Sequence, residues 1–428
     1  MSFQPDEHAV DGRAYLRLVA YGAAIGIPAA LAAALFLALV HDLEHWLWHD
    51  LPDALGHSSP PWYLVIGLPV VGAAIVAVSR RYLPGDGGHS PLEGLETDPT
   101  PVSHGPGIAL AAIGTLAFGA VLGPEAPVVA LGSLVGVAIT RVVDVGKTGA
   151  AVLSRAGEFS AISALFGGPI TAGMLLVEGG IRVGPALLPL LLPGLVSAAI
   201  GYLVFLGFGD WGGLNAPGLV VPNLPPYDGV HLYDLAVGLA VGVLAALTVA
   251  AVRRVAESVH GARPRLGMSG LLLLGGLTIG LLAFGADLLG ASSQDVLFSG
   301  QASIPAIVSE TSFWAVLVVI AAKFFAYAVS LGSGFRGGPI FPAIFLGVAL
   351  ASLAVVAFEV SPTLAVAVGT AAGMAAQARL IVTPVLLAVL LVGSNGLDTV
   401  SAAVLATAAA IITMAAIDRR PVREAEAS

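Results

Sequence analysis

One glutamate sits where an apolar chain can least easily carry a charge. Gly123-Pro124-Glu125-Ala126-Pro127 lies between two apolar runs, 108–122 and 128–139. An ionised carboxylate left alone at membrane depth costs about 3 kcal/mol or more. Its neighbours ease that cost. Gly and Pro break a helix, and the run that follows opens a new one with its positive dipole end beside Glu125. A broken helix start of this kind is a ready anion site. The plainer alternative is a surface turn with Glu125 in water.

Composition sets the surroundings. The 428 residues are 57% hydrophobic and 11% charged, against about 25% charged in soluble domains. Mean hydropathy is +0.93. An all-α polytopic membrane protein is expected, resident in the plasma or inner membrane. Gly (54) and Pro (28) are abundant, as they are where membrane helices pack closely or stop part-way. No Cys occurs, which excludes disulfides, thiolate metal sites, Fe–S clusters and Cys nucleophiles. A net charge of −9 does not suggest a nucleic-acid partner. No cofactor is expected. Residues 1–12 lack a basic region leading into a short apolar one, so no cleaved signal peptide is expected.

Spans are expected from 14 to 40 and 62 to 78, and in the second half from about 231 to 252 onward. Between the first two, His41, His45 and His49 read as part of an interfacial loop, with Trp46 and Trp48 as belt residues, and not as a metal site. Arg13/Arg17, Arg80/Arg81, Arg253/Arg254 and Arg419/Arg420/Arg423 mark the cytoplasmic side, placing both termini there. The expected organisation is a cytoplasmic segment 1–13, one transmembrane domain 14–418 and a tail 419–428. Within the domain, the first half is 14–207, an outside linker is 208–230 and the second half is 231–418. Apolar segments at 106–122, 127–141, 149–166, 169–178 and 185–207 are separated by Gly/Pro breaks, and several are too short to span alone. Irregular backbone in lipid is tolerated only where protein buries it or a cavity is lined by it. The halves echo one another: each has a broken stretch, at 123–127 and at 332–342. Two inverted-topology halves with re-entrant helices and a midplane site are therefore expected.

Three loops in order carry a family resemblance. Gly85-Asp-Gly-Gly-His-Ser-Pro-Leu-Glu-Gly94, Gly123-Pro-Glu-Ala-Pro127 and Gly337-Gly-Pro-Ile-Phe-Pro342 resemble the three motifs of the CLC family of chloride channels and proton-coupled chloride antiporters. Gly332-Ser-Gly334 precedes the third loop, and Lys323 and Arg379 also fit the pattern. The resemblance implies a homodimer in the bilayer with one anion pore per subunit, carrying chloride or a similar anion, with or without protons. It places the gating glutamate at Glu125 and pore-lining positions at Gly87, Gly88, His89, Ser90, Pro124, Ala126, Pro339, Ile340 and Phe341.

Departures from the pattern shape the expected function. The pore serine aligns with Gly87, so either backbone alone serves there or Ser90 or His89 turns in. Pro124 replaces a basic residue. A gap-free register puts Pro339 and Ile340 at the two backbone donors of the third motif, and proline has no N–H. Weaker or differently placed anion binding is then expected. In Val177-Glu178-Gly179 the first acid of the family's pair is kept, and Gly179 stands at the inner proton relay. Glu158 is a substitute proton carrier, or else the partner of Arg155 three residues earlier. The family's last helix, with its inner-gate Tyr, is not found before the tail.

The leading reading is passive or loosely proton-coupled anion permeation gated by Glu125. The alternatives are strict chloride/proton exchange and an organic-solute transporter on an inverted-repeat plan. An enzyme is not expected. Gly332-Ser-Gly334 lacks a His at comparable depth, and no metal motif appears.

Overall fold

Helices fill nearly every apolar run, and the breaks fall at Gly and Pro. In this computed structural model, residues 12–94, 99–143, 145–179, 187–207, 212–214 and 219–418 are described. The expected tail with its three arginines, most of the segment 1–13 and parts of the linker lie outside them. The helices are α1 (Gly12–His45), α2 (Leu51–Ala54), α3 (Trp62–Tyr82), α4 (Gly105–Leu116), α5 (Glu125–Ile139), α6 (Gly146–Leu165), α7 (Pro169–Gly179) and α8 (Leu187–Leu206). There follow α9 (Leu232–His260), α10 (Arg263–Leu288), α11 (Ser293–Val296), α12 (Ile304–Ser309), α13 (Phe313–Ser333), α14 (Ile340–Phe358), α15 (Pro362–Ala378), α16 (Val382–Val392) and α17 (Val400–Asp418). Among the described residues there is no strand, only one isolated bridge between Gly123 and Gly338.

Seven described helical stretches are long and apolar enough to cross a bilayer. Others are not: α4, α5 and α7 have 12, 15 and 11 residues, where a span needs about 20. The protein is an integral, all-α, polytopic membrane protein that mixes full spans with short helices.

Two local expectations change. Residues 41–54 are not a loop. The helix of α1 runs on through a π-helical turn at Trp46–Asp50 into α2. Trp48 is not a belt residue: it is buried, and its Nε1 donates to the Ala117 carbonyl at 3.0 Å. The apolar count stops at His41, but no Gly or Pro stands between His41 and Leu51, and Pro52 falls at the start of α2. Likewise α9 continues past Arg253 and Arg254 to His260, because the first breaker is Gly261.

The contacts sort the chain into two compact units, which cut across the expected sequence halves. One takes residues up to 39, 97–106 and 127–218. In it α6 packs on α7 and α8, and α5 crosses α6 so closely that a Cβ on Gly132 would lie 2.4 Å from the Gly157 carbonyl. The other takes 40–96, 107–126 and 219 onward. In it α3 lies along α10, α9 along α17, and α14 along α15. The motif loops fall within this second unit, apart from Pro127 at the end of the second.

Candidate functional site

Glu125 is fully buried at the first position of α5. Its Oε1 accepts two backbone hydrogen bonds, from Ile340 N at 2.7 Å and Phe341 N at 3.0 Å. These amides open α14. The first four N–H groups of a helix have no partner within it, and the dipole adds positive charge there. The carboxylate therefore occupies an anion seat. Among the described residues its Oε2 has no hydrogen-bond partner, and leaving such a group unmet costs about 1–3 kcal/mol.

Two glycines shape the seat. Gly123 N donates to Gly338 O at 2.7 Å and Gly338 N to Gly123 O at 2.6 Å, which ties the second motif to the third. A Cβ on Gly123 would lie 2.0 Å from Oε2, and one on Gly338 2.2 Å. Any side chain at either position would meet the carboxylate itself.

One face of α13 braces this arrangement. Lys323, Tyr327 and Ser330 recur at i, i+4 and i+7 and all are buried. Lys323 Nζ donates to Leu297 O at 2.7 Å and Asp295 O at 3.1 Å, and stands 4.6 Å over the Phe345 ring. Tyr327 Oη donates to Pro339 O at 2.6 Å, just ahead of the amide pair. Ser330 Oγ accepts from Val121 N at 2.9 Å, just ahead of Gly123.

The paired donors are thus Ile340 and Phe341, one residue later than the gap-free register places them. Pro339 supplies a carbonyl to Tyr327 and sits at the helix cap, so its missing N–H removes nothing from this seat. Pro124 and Ala126 flank Glu125 and are half-buried.

The first motif is anchored differently. Gly85, Asp86, Gly87 and Gly88 all have positive φ (88°, 48°, 70° and 98°). The turn points Asp86 at two arginines. Arg80 Nε and Nη2 bond its carboxylate at 2.9 and 2.7 Å. Arg336 Nη2 bonds it too, and Arg336 Nε donates to the Asp86 carbonyl at 3.0 Å. Arg336 N donates to Thr115 Oγ1 at 3.1 Å. Burial works against ionisation of Asp86, but the hydrogen bonds and charges of Arg80 and Arg336 outweigh it and hold its carboxyl below the usual range. Gly87 is boxed in: a Cβ would meet Ala111 Cβ at 2.8 Å and the Arg80 and Arg336 stems at 3.2 and 3.3 Å. His89 and Ser90 are half-buried, and the Ser90 carbonyl accepts from Glu93 N.

The sequence model described as "Voltage gated chloride channel" matches residues 85–414, from the first Gly of the first motif onward. The chain belongs to this family. YfeO of Escherichia coli O1:K1 / APEC, a protein named for ion transport, is 31% identical over 356 residues, 79% of each chain. YfeO of Shigella boydii serotype 4 is 32% identical over 352 residues, again 79% of each. The fold resembles a slow cyanobacterial Cl−/H+ antiporter (TM-score 0.76, 18% identity, 95% and 96% covered). It also resembles a CLC-type fluoride/proton antiporter (0.70, 19%, 93% and 95%). Proteins of the voltage gated chloride channel family are ion channels and transporters, not enzymes.

The two acids considered for a proton path lie in the other compact unit. Glu158 is buried, and its Oε2 accepts from Arg155 Nη1 at 2.8 Å. Ser133 and Ser154 also act on it, themselves hydrogen-bonded at 2.7 Å. Glu178 is half-buried on α7, one residue before the exposed Gly179. Among the described residues no cluster of His, Asp and Glu could hold a metal.

Sequence reasoning missed Tyr327 and Ser330 as braces of the Glu125 seat, and Arg80, Asp86 and Arg336 as one cluster. The signal was present for two of them, because Tyr327 and Ser330 share the Lys323 face at helical spacing. It was absent for Arg336 and Asp86, which lie 250 positions apart.

Proposed function

We propose that this protein carries chloride or another small monovalent anion across the membrane, along a path gated by Glu125, with passive or loose proton coupling. One observation carries the reading: a carboxylate fills the amide seat at the start of α14. Backbone amides at a helix start can hold an anion without a fixed full charge, so the ion can enter and leave. Ionised Glu125 competes for that seat. A proton on Oε2, or a swing of the side chain, removes the competitor. Ile340 and Phe341 are then the ion's donors, and Gly123 and Gly338 leave room beside them. Membership of the family, and relatives named for ion transport, support the same reading.

Strict exchange with protons is the second reading, supported by the antiporters that share the fold. It needs a second acid to exchange protons with Glu125. Glu158 is the candidate, although its carboxylate is tied to Arg155. Reconstituted vesicles with an imposed chloride gradient separate the two. Passive permeation leaves the internal pH unchanged once the membrane potential is clamped. Uphill proton movement under the same clamp would replace it with exchange. Both termini are placed in the cytoplasm, with halves at 14–207 and 231–418 joined by 208–230, and the working unit is a homodimer.

A further inference from the structure

We propose that Arg80 and Arg336 form a second anion-binding site, for a small planar monovalent oxyanion, and that Asp86 occupies it as a tethered carboxylate which such an ion can displace. The charge balance carries the inference. The Arg80 and Arg336 side chains are 5% and 7% exposed, whereas the Asp86 side chain between them is 59% exposed. Among the described residues, two buried guanidiniums share one contacting carboxylate, and that carboxylate is exposed. Glu93 acts on Arg336 only at longer range and is itself exposed. The remaining contacts of Arg80 are neutral: Nη1 donates to Gly334 O at 2.8 Å and to Met268 Sδ at 3.1 Å. The pair therefore holds more positive charge than Asp86 cancels.

Geometry selects the ligand. Arg80 grips Asp86 through Nε and Nη2, one to each carboxylate oxygen, while Arg336 Nη2 takes a further bond to Oδ2. A flat group with oxygens at carboxylate spacing fits such a fork, one oxygen to each N–H, whereas a sphere such as chloride must meet both N–H groups with a single atom. Formate, nitrate and bicarbonate have this shape. Asp86 can leave because it hangs on a turn of residues with positive φ rather than on a helix. Its ionised form is favoured, so at neutral pH it leaves by exchange with another anion and not by protonation. A Cβ on Gly87 would collide with Ala111 Cβ at 2.8 Å and press on the two arginine stems at 3.2 and 3.3 Å. The site uses none of the atoms that hold Glu125, so it stands or falls independently of the gate.

The test is thermal unfolding of the purified full-length protein in formate, nitrate or chloride, at constant ionic strength. Asp86→Gly removes the carboxylate without a backbone penalty at φ 48°. A ligand that binds only the folded state raises its melting temperature saturably. For D86G, formate and nitrate should do so at about tenfold lower concentration than chloride. The wild type, with Asp86 in place, should respond more weakly. D86G/R336Q should lose the preference, and Glu125→Gln in the D86G background should keep it. Equal responses of D86G and wild type, or no preference over chloride, would overturn the proposal. A D86G protein that stays unfolded in saturating formate also overturns it, because the ion should stand in for the lost carboxylate. Asp86→Asn, which keeps the side-chain volume, should show the same order of anions more weakly, and the reverse order counts against the site.

Discussion

At Glu125 the decisive detail is which atoms surround the carboxylate. A Cβ on Gly338 meets the far end of a flexible side chain and not backbone. Gly338→Ala should therefore fold and push Glu125 off the Ile340 and Phe341 amides. Anion flux in vesicles should rise and lose its dependence on pH; flux that keeps the wild-type pH profile would show that the carboxylate was not evicted. Tyr327→Phe removes a buried hydrogen bond to Pro339 O, at a cost of about 0.5–1.5 kcal/mol. Chemical denaturation should record that loss. Asp86 gives a pH prediction. Its folded-state pKa lies below the unfolded one, so its contribution is present above the unfolded value of about 3.9 and fades as pH falls through the folded value. Melting temperature measured downward from pH 5 should drop, and D86N should lack that part of the drop. Sequence reading reached Glu125 because a charge between apolar runs is conspicuous. It could not reach Asp86, since an acid in a Gly-rich turn looks like any other turn residue.

Among the elements, α14 determines most of the site. Its sequence, from Ile340 to Phe358, has no acid or base until Glu359, and this alone predicts a buried helix. Its start was harder to read. Helix onset depends on where the chain leaves the Gly–Gly–Pro turn, and a gap-free register shifted the amide pair by one residue. Pro339 proved to be the cap, where a missing N–H costs nothing. The extension of α1 through Trp48 was hidden for a related reason: polar residues 41–50 read as a loop, yet they contain no breaker. The Lys323, Tyr327 and Ser330 face was legible as spacing, but its partners were not, because loops distant in sequence supply them. Packing of α14 on α15 gives a direct test. A Cβ on Gly347 would lie 2.1 Å from the Gly369 carbonyl, and backbone cannot step aside as a side chain can. Gly347→Ala should destabilise the protein by about 1–3 kcal/mol, read as a lower melting temperature in detergent. An unchanged value would mean that these helices lie further apart.

For the molecule as a whole, composition alone gave the membrane and the helical class, because 57% hydrophobic against 11% charged residues leaves few other solutions. The order of three weak motifs gave the family. The two compact units were not legible: stretches 40–96 and 107–126 join the later part of the chain, and such regrouping depends on contacts that apolar periodicity does not encode. Topology is testable because the chain has no Cys. A single cysteine at Ser258 should be labelled from the cytoplasmic face and one at Ser58 from the outside. The reverse would invert the orientation drawn from the arginines. The mass of the purified protein should correspond to two subunits.

The proposed gating by Glu125 is tested most directly by anion flux in vesicles at two pH values, comparing wild type with Glu125→Gln. A carboxylate that competes with the ion for the Ile340 and Phe341 amides predicts that wild-type flux rises on acidification. It predicts that Glu125→Gln carries flux independent of pH. A variant that keeps the wild-type pH profile would contradict the account, because the gate would then lie elsewhere.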